Sequence, residues 1–365
     1  MTNEFKVGVN FDDKLLDKII ELNKKYTKTN SVVSELYGSI KGHADLAARP
    51  DFRLPDKTLT DVTNYVRKAA HNNINFNYTL NSIVPYGSKY EMSKHYGYIE
   101  SIINYLAGIG VYRITVANPI MLEFIRNVLG NKDIHIELST IAHIDTITQI
   151  KYYNEEYGVD KICCNLLKNR DFDWLNKAAN YCIDHNIILE LMANEFCGVG
   201  GNDYGTHCIY RDSCYICHAT NHSQKDADRM NGYPMNFCTQ SRNRNPVNWL
   251  RMNWIRPDDI RYYNEIGIRH FKITGRTGST EYITRTIEAY LKQQFTGNLL
   301  SLWKPLESIK NVELEDVHIV DIPSQNLNGF IENWAYNHKV CANEVCGETC
   351  TYCQDFYNEC IARKE

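Results

Sequence analysis

The chain has 365 residues, a formal net charge of -4 and 43% hydrophobic residues, which suffices for one large α/β barrel with an appendage or for two ordinary domains. Acidic and basic residues are interspersed, so no basic stripe supports binding to nucleic-acid phosphates. The opening residues, MTNEFKVGVNFDDK, lack the features of a signal peptide, and no apolar run approaches the roughly 20 residues that span a bilayer. We therefore expect a soluble, cytoplasmic protein without a membrane partner.

Short apolar or β-branched runs alternate with amphipathic stretches along the chain, a pattern typical of parallel βα units. The predicted strands are, in order, FKVGVNF, VVSELYG, INFNYTL, YRITVAN, IHIELST, KICCNLL, IILELMA and RHFKITG. The predicted helices between them include KLLDKIIELNKKY, LTDVTNYVRKAAHNN, YIESIINYLAGIG, MLEFIRNVLG, TITQIKYYNEEYG and FDWLNKAANYCIDHN.

Eight such units favour a closed, TIM-type (β/α)8 barrel, because no G-x-G-x-x-G fingerprint follows the first strand. An open doubly wound sheet is the alternative. The predicted barrel covers residues 1–295 and carries a cysteine-rich loop at 197–252. A small C-terminal extension covers 296–365 and contains a cysteine-rich tail at 341–360. In a barrel the loop would lie at the C-terminal face, where active sites are built.

Thirteen cysteines in a chain with no export signal favour metal ligation or catalysis over disulfides. Cys163, Cys164 and Cys182 fall within predicted regular elements, and we expect them to be core residues. The other cysteines form two groups, one in the loop and one in the tail.

The loop group begins directly after the seventh predicted strand. Its thiolates can close a tetrahedral zinc site or hold a [4Fe-4S] cluster, and the spacing C-x10-C-x5-C-x2-C-x20-C does not choose between them. Because histidine also binds zinc, the neighbouring His207, His218 and His222 leave zinc as an alternative to the cluster. We expect a metal because exposed thiols without one are prone to oxidation. The group consists of Cys197, Cys208, Cys214, Cys217 and Cys238.

The tail group reads CANEVCGETCTYCQDFYNEC and contains Cys341, Cys346, Cys350, Cys353 and Cys360. Its inner C-x3-C-x2-C spacing matches radical enzymes that cleave S-adenosylmethionine, but their motif follows the first barrel strand. A second iron-sulfur cluster is therefore the favoured interpretation, with ligands among the first four of these cysteines. A structural zinc knuckle and redox-inactive thiols are the alternatives.

Three stretches resemble the collagenase-like peptidase family U32, which includes iron-sulfur proteins of oxygen-independent ubiquinone and RNA hydroxylation. They are IHIELSTIAHIDT, KICCNLLKNRDFDWLNKAANYCIDHNIILELMANEFC and WIRPDDIRYYNEIGIRHFKITGR. The last is the most specific, with its proline-aspartate turn, helix, and strand ending in Lys-Ile-x-Gly-Arg. The resemblance covers most of residues 30 to 295.

The resemblance implies an iron-sulfur cluster whose ligands include Cys197, Cys208 and Cys238, with Cys214 or Cys217 as the fourth. Glu190 of the family pattern is present, but its His-Gly pair is missing. Since family members work in pairs, the resemblance also implies a paired protein partner or an electron donor.

Catalytic residues of a barrel come from the C-terminal ends of its strands, and four side chains are the main candidates. Lys272 and Arg276, near the eighth strand, suit an anionic substrate group. Glu35 and His143 are titratable and could move protons. A Ser139-His143 hydrolase is a poor interpretation, since neither G-x-S-x-G nor H-E-x-x-H occurs. Other strand-end and loop candidates are Asn77, Asn118, Thr140, Asn165, Glu195, His43, Arg49 and Arg53.

These observations favour an iron-sulfur enzyme of oxygen-independent hydroxylation or a related modification. One alternative is a non-catalytic iron-sulfur scaffold or electron-relay subunit. A second is a collagenase-like peptidase.

Overall fold

The computed structural model describes residues 2–49, 51–130, 133–195, 241–242, 244–303 and 321–361. Eight parallel strands close into a barrel in chain order, which confirms the predicted TIM-type fold. All eight predicted strands are present. They are β1 (Asn3–Gly8), β2 (Ser31–Gly38), β3 (Asn75–Leu80), β4 (Arg113–Val116), β5 (His135–Leu138), β6 (Lys161–Cys163), β7 (Ile188–Met192) and β8 (His270–Ile273).

Helices follow the strands, as their amphipathic patterns predict, and polar caps fix several starting points. The Thr58 and Thr146 side chains form capping boxes with Asp61 and Gln149. The longer helices of the barrel are Asp13–Lys25, Leu59–His71, Tyr96–Gly108, Ile147–Tyr157, Phe172–Asp184 and Thr280–Lys292. Shorter helices are Lys89–Ser93, Pro119–Glu123, Val247–Arg251, Ile260–Glu265 and Leu300–Trp303, and the extension has Glu332–Ala335 and Tyr352–Cys360.

The strands place their two faces in different environments. On β1, Phe5 and Val7 join the main hydrophobic cluster between the strands and the helices, while Lys6 between them points into the barrel. On β8, Phe271 and Ile273 likewise flank Lys272. Because side chains alternate along a strand, the interior of this barrel, called the lumen below, is lined by polar and charged groups.

The predicted core cysteines are confirmed. Cys163, Cys164 and Cys182 are each at most 1% exposed. The described part of the extension contributes Phe330, Trp334 and other apolar residues to the same hydrophobic cluster as the barrel. The boundary near residue 295 stays a prediction. None of the described helices has the length and apolar character needed to cross a membrane.

Candidate active site at the barrel mouth

A buried ionic network fills the lumen. The Lys6 ammonium, on β1, forms ion pairs with Glu137 on β5 and with Glu35 on β2, the latter at 3.1 Å. Glu137 also accepts a hydrogen bond from the Asn77 amide at 3.3 Å. The ammonium of Lys6 and both carboxylates are almost completely buried. Ion pairs between side chains thereby connect β1 with β2 and with β5 inside the barrel.

Two further lysines complete the network. Lys161 lies 2.7 Å from Glu190 on β7 and 3.4 Å from Glu35. Lys272 lies 3.6 Å from Glu137. Since each buried ammonium faces a carboxylate, the charges of the lumen largely offset one another, which buried ions require.

The network determines the protonation states of its members. Burial alone would raise the pKa of Glu137, but the ammonium groups of Lys6, Lys161 and Lys272 hold that pKa well below its ordinary value. The pKa of Glu35 is likewise lowered, against the effect of burial, by Lys161 and Lys6. Burial would lower the pKa of Lys272, yet Glu137 keeps it above its usual value. Near neutral pH these groups are therefore charged, and neither Glu35 nor Lys272 is poised to exchange a proton.

The Tyr37 ring covers this network at the C-terminal end of β2. Lys272 and Lys6 lie 4.3 Å and 5.4 Å from the ring centroid. Gly8, on the neighbouring β1, leaves space for the ring, because a Cβ there would lie 2.9 Å from the Tyr37 hydroxyl. Cys163 on β6 and Met192 on β7 are buried in one small apolar cluster. Tyr37 therefore separates the lumen from the barrel mouth, the space at the C-terminal ends of the strands.

Two arginines lie at the barrel mouth. Arg276 follows β8 and donates a hydrogen bond to the Thr79 hydroxyl of β3 at 3.4 Å. Burial and the nearby positive charge of Arg49 lower the pKa of Arg276 to about 10, so the Arg276 guanidinium stays charged near neutral pH. Burial and the Glu195 carboxylate raise the pKa of Tyr37, although Lys272, Arg276 and Arg49 act in the opposite direction. The mouth therefore has an excess of positive charge around one phenol.

The end of β7 connects this region to the cysteine-rich loop. The Asn194 side chain accepts a hydrogen bond from the Thr274 backbone N–H at 2.7 Å, which joins the segments that follow β7 and β8. Glu195 is the last described residue before the loop, and Cys197 follows two positions later in the sequence. The five predicted loop ligands, Cys197, Cys208, Cys214, Cys217 and Cys238, lie outside the described residues.

The remaining strand-end candidates have mixed placements. Asn118 and Asn165 cap the helices that follow them, through the Ile120 and Leu167 backbone N–H groups. Thr140 donates a hydrogen bond to the Cys164 carbonyl. His143 has a left-handed backbone conformation at the end of a short 3-10 helix. The ion network and the Tyr37 ring connect the other three main candidates, Glu35, Lys272 and Arg276.

His43, from the long loop after β2, is buried beside Tyr78. Its Nδ1 lies 2.6 Å from the Tyr78 hydroxyl, and the two ring planes are inclined at 63°. Burial lowers the pKa of His43 to about 4. His43 is therefore neutral near pH 7.

Four tail cysteines, Cys341, Cys346, Cys350 and Cys353, line a single pocket. Arg251 and Trp334 also line it. Zinc bound by four thiolates at about 2.3 Å would hold their sulfur atoms within about 4 Å of one another. Nowhere in the described parts of the chain are three or more His, Cys, Asp or Glu side chains arranged about one metal ion in this way. The four thiols therefore line one pocket without being arranged about a single ion.

Several residues of the lumen were not predicted from the sequence. Lys6, Glu137 and Lys161 were not among the candidates, because each occurs singly within an apolar strand. The sequence feature that could have identified them is the recurrence of one charged residue between two apolar ones in several predicted strands. That alternation indicates a polar lumen only once the barrel is assumed to be closed.

Comparison with known proteins gives one similarity over the whole length. No protein-family model matches the chain. An uncharacterized protease of Methanocaldococcus jannaschii is 25% identical over 358 residues, which cover 96% of this chain and 94% of that protein. The solved structure of a U32 peptidase matches with a TM-score of 0.44 and 14% identity, covering 75% of this chain and 93% of its own. The protease supports the peptidase-family part of the resemblance, while the iron-sulfur type remains a prediction from sequence motifs.

Proposed function

We propose that the chain is a cytoplasmic enzyme of the U32 peptidase-like type that carries a cysteine-bound [4Fe-4S] cluster at the barrel mouth. Its reaction would be oxygen-independent hydroxylation or a related modification of an anionic substrate. The observation that carries the proposal is the group of Arg49, Lys272 and Arg276 around Tyr37, beside the strand from which the cysteine-rich loop starts.

The side chains of the mouth suit the binding of an anion. Arg276 is anchored to Thr79 and lies near a second guanidinium, so a carboxylate or phosphate between Arg276 and Arg49 would offset their repulsion. Lys272 forms an ion pair with Glu137, and its positive charge lies on the lumen side of the Tyr37 ring. Arg276 and Arg49 would therefore bind and orient the substrate, and Lys272 would contribute charge without direct contact.

The lumen contributes rigidity rather than proton transfer. Its ion pairs keep Glu35 and Glu137 ionised, so the carboxylates hold the lysines in place beneath Tyr37. Cys197, Cys208 and Cys238, with Cys214 or Cys217, would hold the cluster. When bound, the cluster would supply Lewis acidity or electron transfer to the reaction. A paired protein or an electron donor would be the partner.

Metal analysis of anaerobically purified protein tests the cofactor. The full-length protein should contain iron and acid-labile sulfide in equal amounts, and Cys208→Ala with Cys238→Ala should lower the content by about four iron per chain. Cys360→Ser is the control, because Cys360 lies outside both proposed ligand sets. Zinc without sulfide in the full-length protein would contradict the proposal.

Binding of inorganic phosphate, measured by calorimetry, tests the anion site. Arg276→Gln should weaken binding roughly tenfold, since one charge-assisted hydrogen bond contributes about 1.5 kcal/mol or more. Arg285→Gln, at an exposed position on the helix that follows β8, should leave the affinity unchanged. Equal affinities of the two variants would place the anion elsewhere.

A peptidase is the second candidate, favoured by the name of the similar M. jannaschii protein. Digestion of gelatin should then persist after iron has been removed with a chelator. Among the described residues, Ser139 accepts a hydrogen bond from Asn81 at 3.2 Å. Gelatin cleavage by the iron-free chain would favour this candidate over the hydroxylase.

A further inference from the structure

The tail brings four cysteines from three short segments to one pocket. Cys341 begins a 3-10 helix, and Cys353 lies in the first turn of the helix Tyr352–Cys360. Cys346 and Cys350 pair through their backbones across a tight turn, in which Gly347 has a φ of 86° and donates a hydrogen bond to the Cys350 carbonyl at 2.9 Å. The four cysteines, which are close in sequence, thus also lie around one pocket in space.

A buried arginine lies beside these thiols. Arg170, which ends the 3-10 helix after β6, is 2% exposed and interacts electrostatically with Cys353 and Cys341. Its Nη1 donates a hydrogen bond to the Leu250 carbonyl at 2.8 Å. Its Nε and Nη2 have no hydrogen-bond partner in the described part of the chain. The guanidinium also lies 4.9 Å from the ring centroids of Trp254 and Trp334.

This arginine lacks a conventional counter-ion. No described carboxylate forms an ion pair with Arg170, and Asp259 is already paired with Arg256 at 2.7 Å. Arg251, which lines the pocket and is 7% exposed, donates to the Asn248 amide oxygen rather than to a carboxylate. The aromatic rings stabilise the Arg170 guanidinium, but no described carboxylate offsets its buried charge. Thiolates bound to a metal group would provide the missing negative charge.

A further N–H group points at one of the sulfur atoms. The Trp334 indole Nε1 donates to Cys341 Sγ at 3.0 Å, and Lys339 lines the same pocket. Hydrogen bonds of this kind and nearby cations stabilise thiolate-bound clusters and raise their reduction potentials.

We propose that Cys341, Cys346, Cys350 and Cys353 hold a second [4Fe-4S] cluster, whose charge Arg170 and Arg251 offset. The four cysteines line one pocket beside two buried arginines, which suits a negatively charged, thiolate-bound cluster. A fourth cysteine ligand leaves no iron open to a substrate such as S-adenosylmethionine. The tail cluster therefore transfers electrons or stabilises the extension, and it does not depend on the reaction proposed for the barrel mouth.

The test uses the full-length chain with Cys208→Ala and Cys238→Ala, purified anaerobically, so that the loop group cannot contribute. We expect about four iron and four sulfide per chain to remain. Adding Cys346→Ser and Cys350→Ser should remove them, whereas adding Cys360→Ser should not. Zinc without sulfide, a Cys346-Cys350 disulfide, or iron unaffected by the tail substitutions would each overturn the proposal.

A second variant leaves all four thiols in place, in case the serine variants fail to fold. Arg170→Gln should retain iron and sulfide but shift the midpoint potential of the tail cluster to a more negative value, because a positive charge beside it has been removed. EPR-monitored redox titration measures this shift. An unchanged potential would contradict the assigned role of Arg170, and iron analysis of the same sample reports on the cluster independently.

Discussion

The ammonium of Lys272 lies 4.3 Å from the centre of the Tyr37 ring, and both side chains are buried at the boundary between lumen and mouth. This contact joins β8 to β2 through side chains, across the intervening β1. It depends on Gly8 of β1, beside which the ring lies. The contact also separates the ion pairs below from the arginines above.

Gly8→Ala should destabilise the protein. The added Cβ would lie 2.9 Å from the Tyr37 ring, and overpacking of this kind costs about 1–3 kcal/mol. The loss should shrink when Tyr37→Leu is added, since the clash partner is then smaller. Chemical denaturation of the three variants measures the coupling. Gly97→Ala is the control, because a Cβ at this helical position meets nothing within 4 Å. Equal losses with and without Tyr37→Leu would contradict the proposed contact.

Glu137→Gln should be strongly destabilising. The carboxylate faces Lys6, Lys161 and Lys272, and removing one partner from a buried ion network costs roughly 3–5 kcal/mol. Thermal unfolding at pH 7 measures the loss. Glu21→Gln, which breaks an exposed pair with Lys18, should have no measurable effect. A wild-type melting temperature for Glu137→Gln would show that the network contributes little.

Stability should fall as the pH is lowered from 6.5 towards 4, because of His43. The folded protein keeps this side chain neutral, with a pKa of about 4, whereas the unfolded chain takes up a proton near 6.5. Protons therefore favour the unfolded chain in this window, by up to about 3 kcal/mol at its lower end. Denaturant titrations of wild type and His43→Asn should differ in their pH dependence between 6.5 and 4. Parallel curves would contradict this assignment.

Below about pH 4.5 the carboxylates of the lumen should cause a second loss of folding stability. Glu35 and Glu137 have lowered pKa values when folded, so their stabilising effect is complete above the ordinary glutamate pKa of 4.5 and declines as the pH falls further. The free energy of unfolding of Glu137→Gln, measured by denaturant titration followed by circular dichroism, should depend less on pH below 4.5 than that of wild type. A steeper dependence in the variant would exclude this explanation.

Arg256→Met should loosen the extension. Its guanidinium pairs with Asp259 and also donates to the Asn328 side chain at 3.1 Å and to the Ser324 carbonyl, which ties the segment before β8 to the extension. Leaving Asp259 buried without its partner costs roughly 3–5 kcal/mol. Hydrogen exchange in 321–361 should accelerate, whereas Arg67→Gln, at an exposed position on the helix Leu59–His71, should leave it unchanged. Unaltered exchange in Arg256→Met would mean that other contacts hold the extension.

The sequence alone predicted the eight strands and favoured a closed barrel over an open sheet, because apolar runs with amphipathic stretches between them have few alternative arrangements. It also identified Cys163, Cys164 and Cys182 as core residues and separated the other cysteines into two groups. These properties are local, since burial and periodicity are encoded in neighbouring residues.

Only the tertiary structure decided which distant residues meet. Lys6 and Glu137 are separated by 131 positions, and no local pattern links them. The proximity of Arg170 to Cys341 and Cys353 likewise results from packing the extension against the segment after β6. Ion pairs and buried cations depend on the distance between charges in space, which sequence spacing does not contain until the barrel has closed.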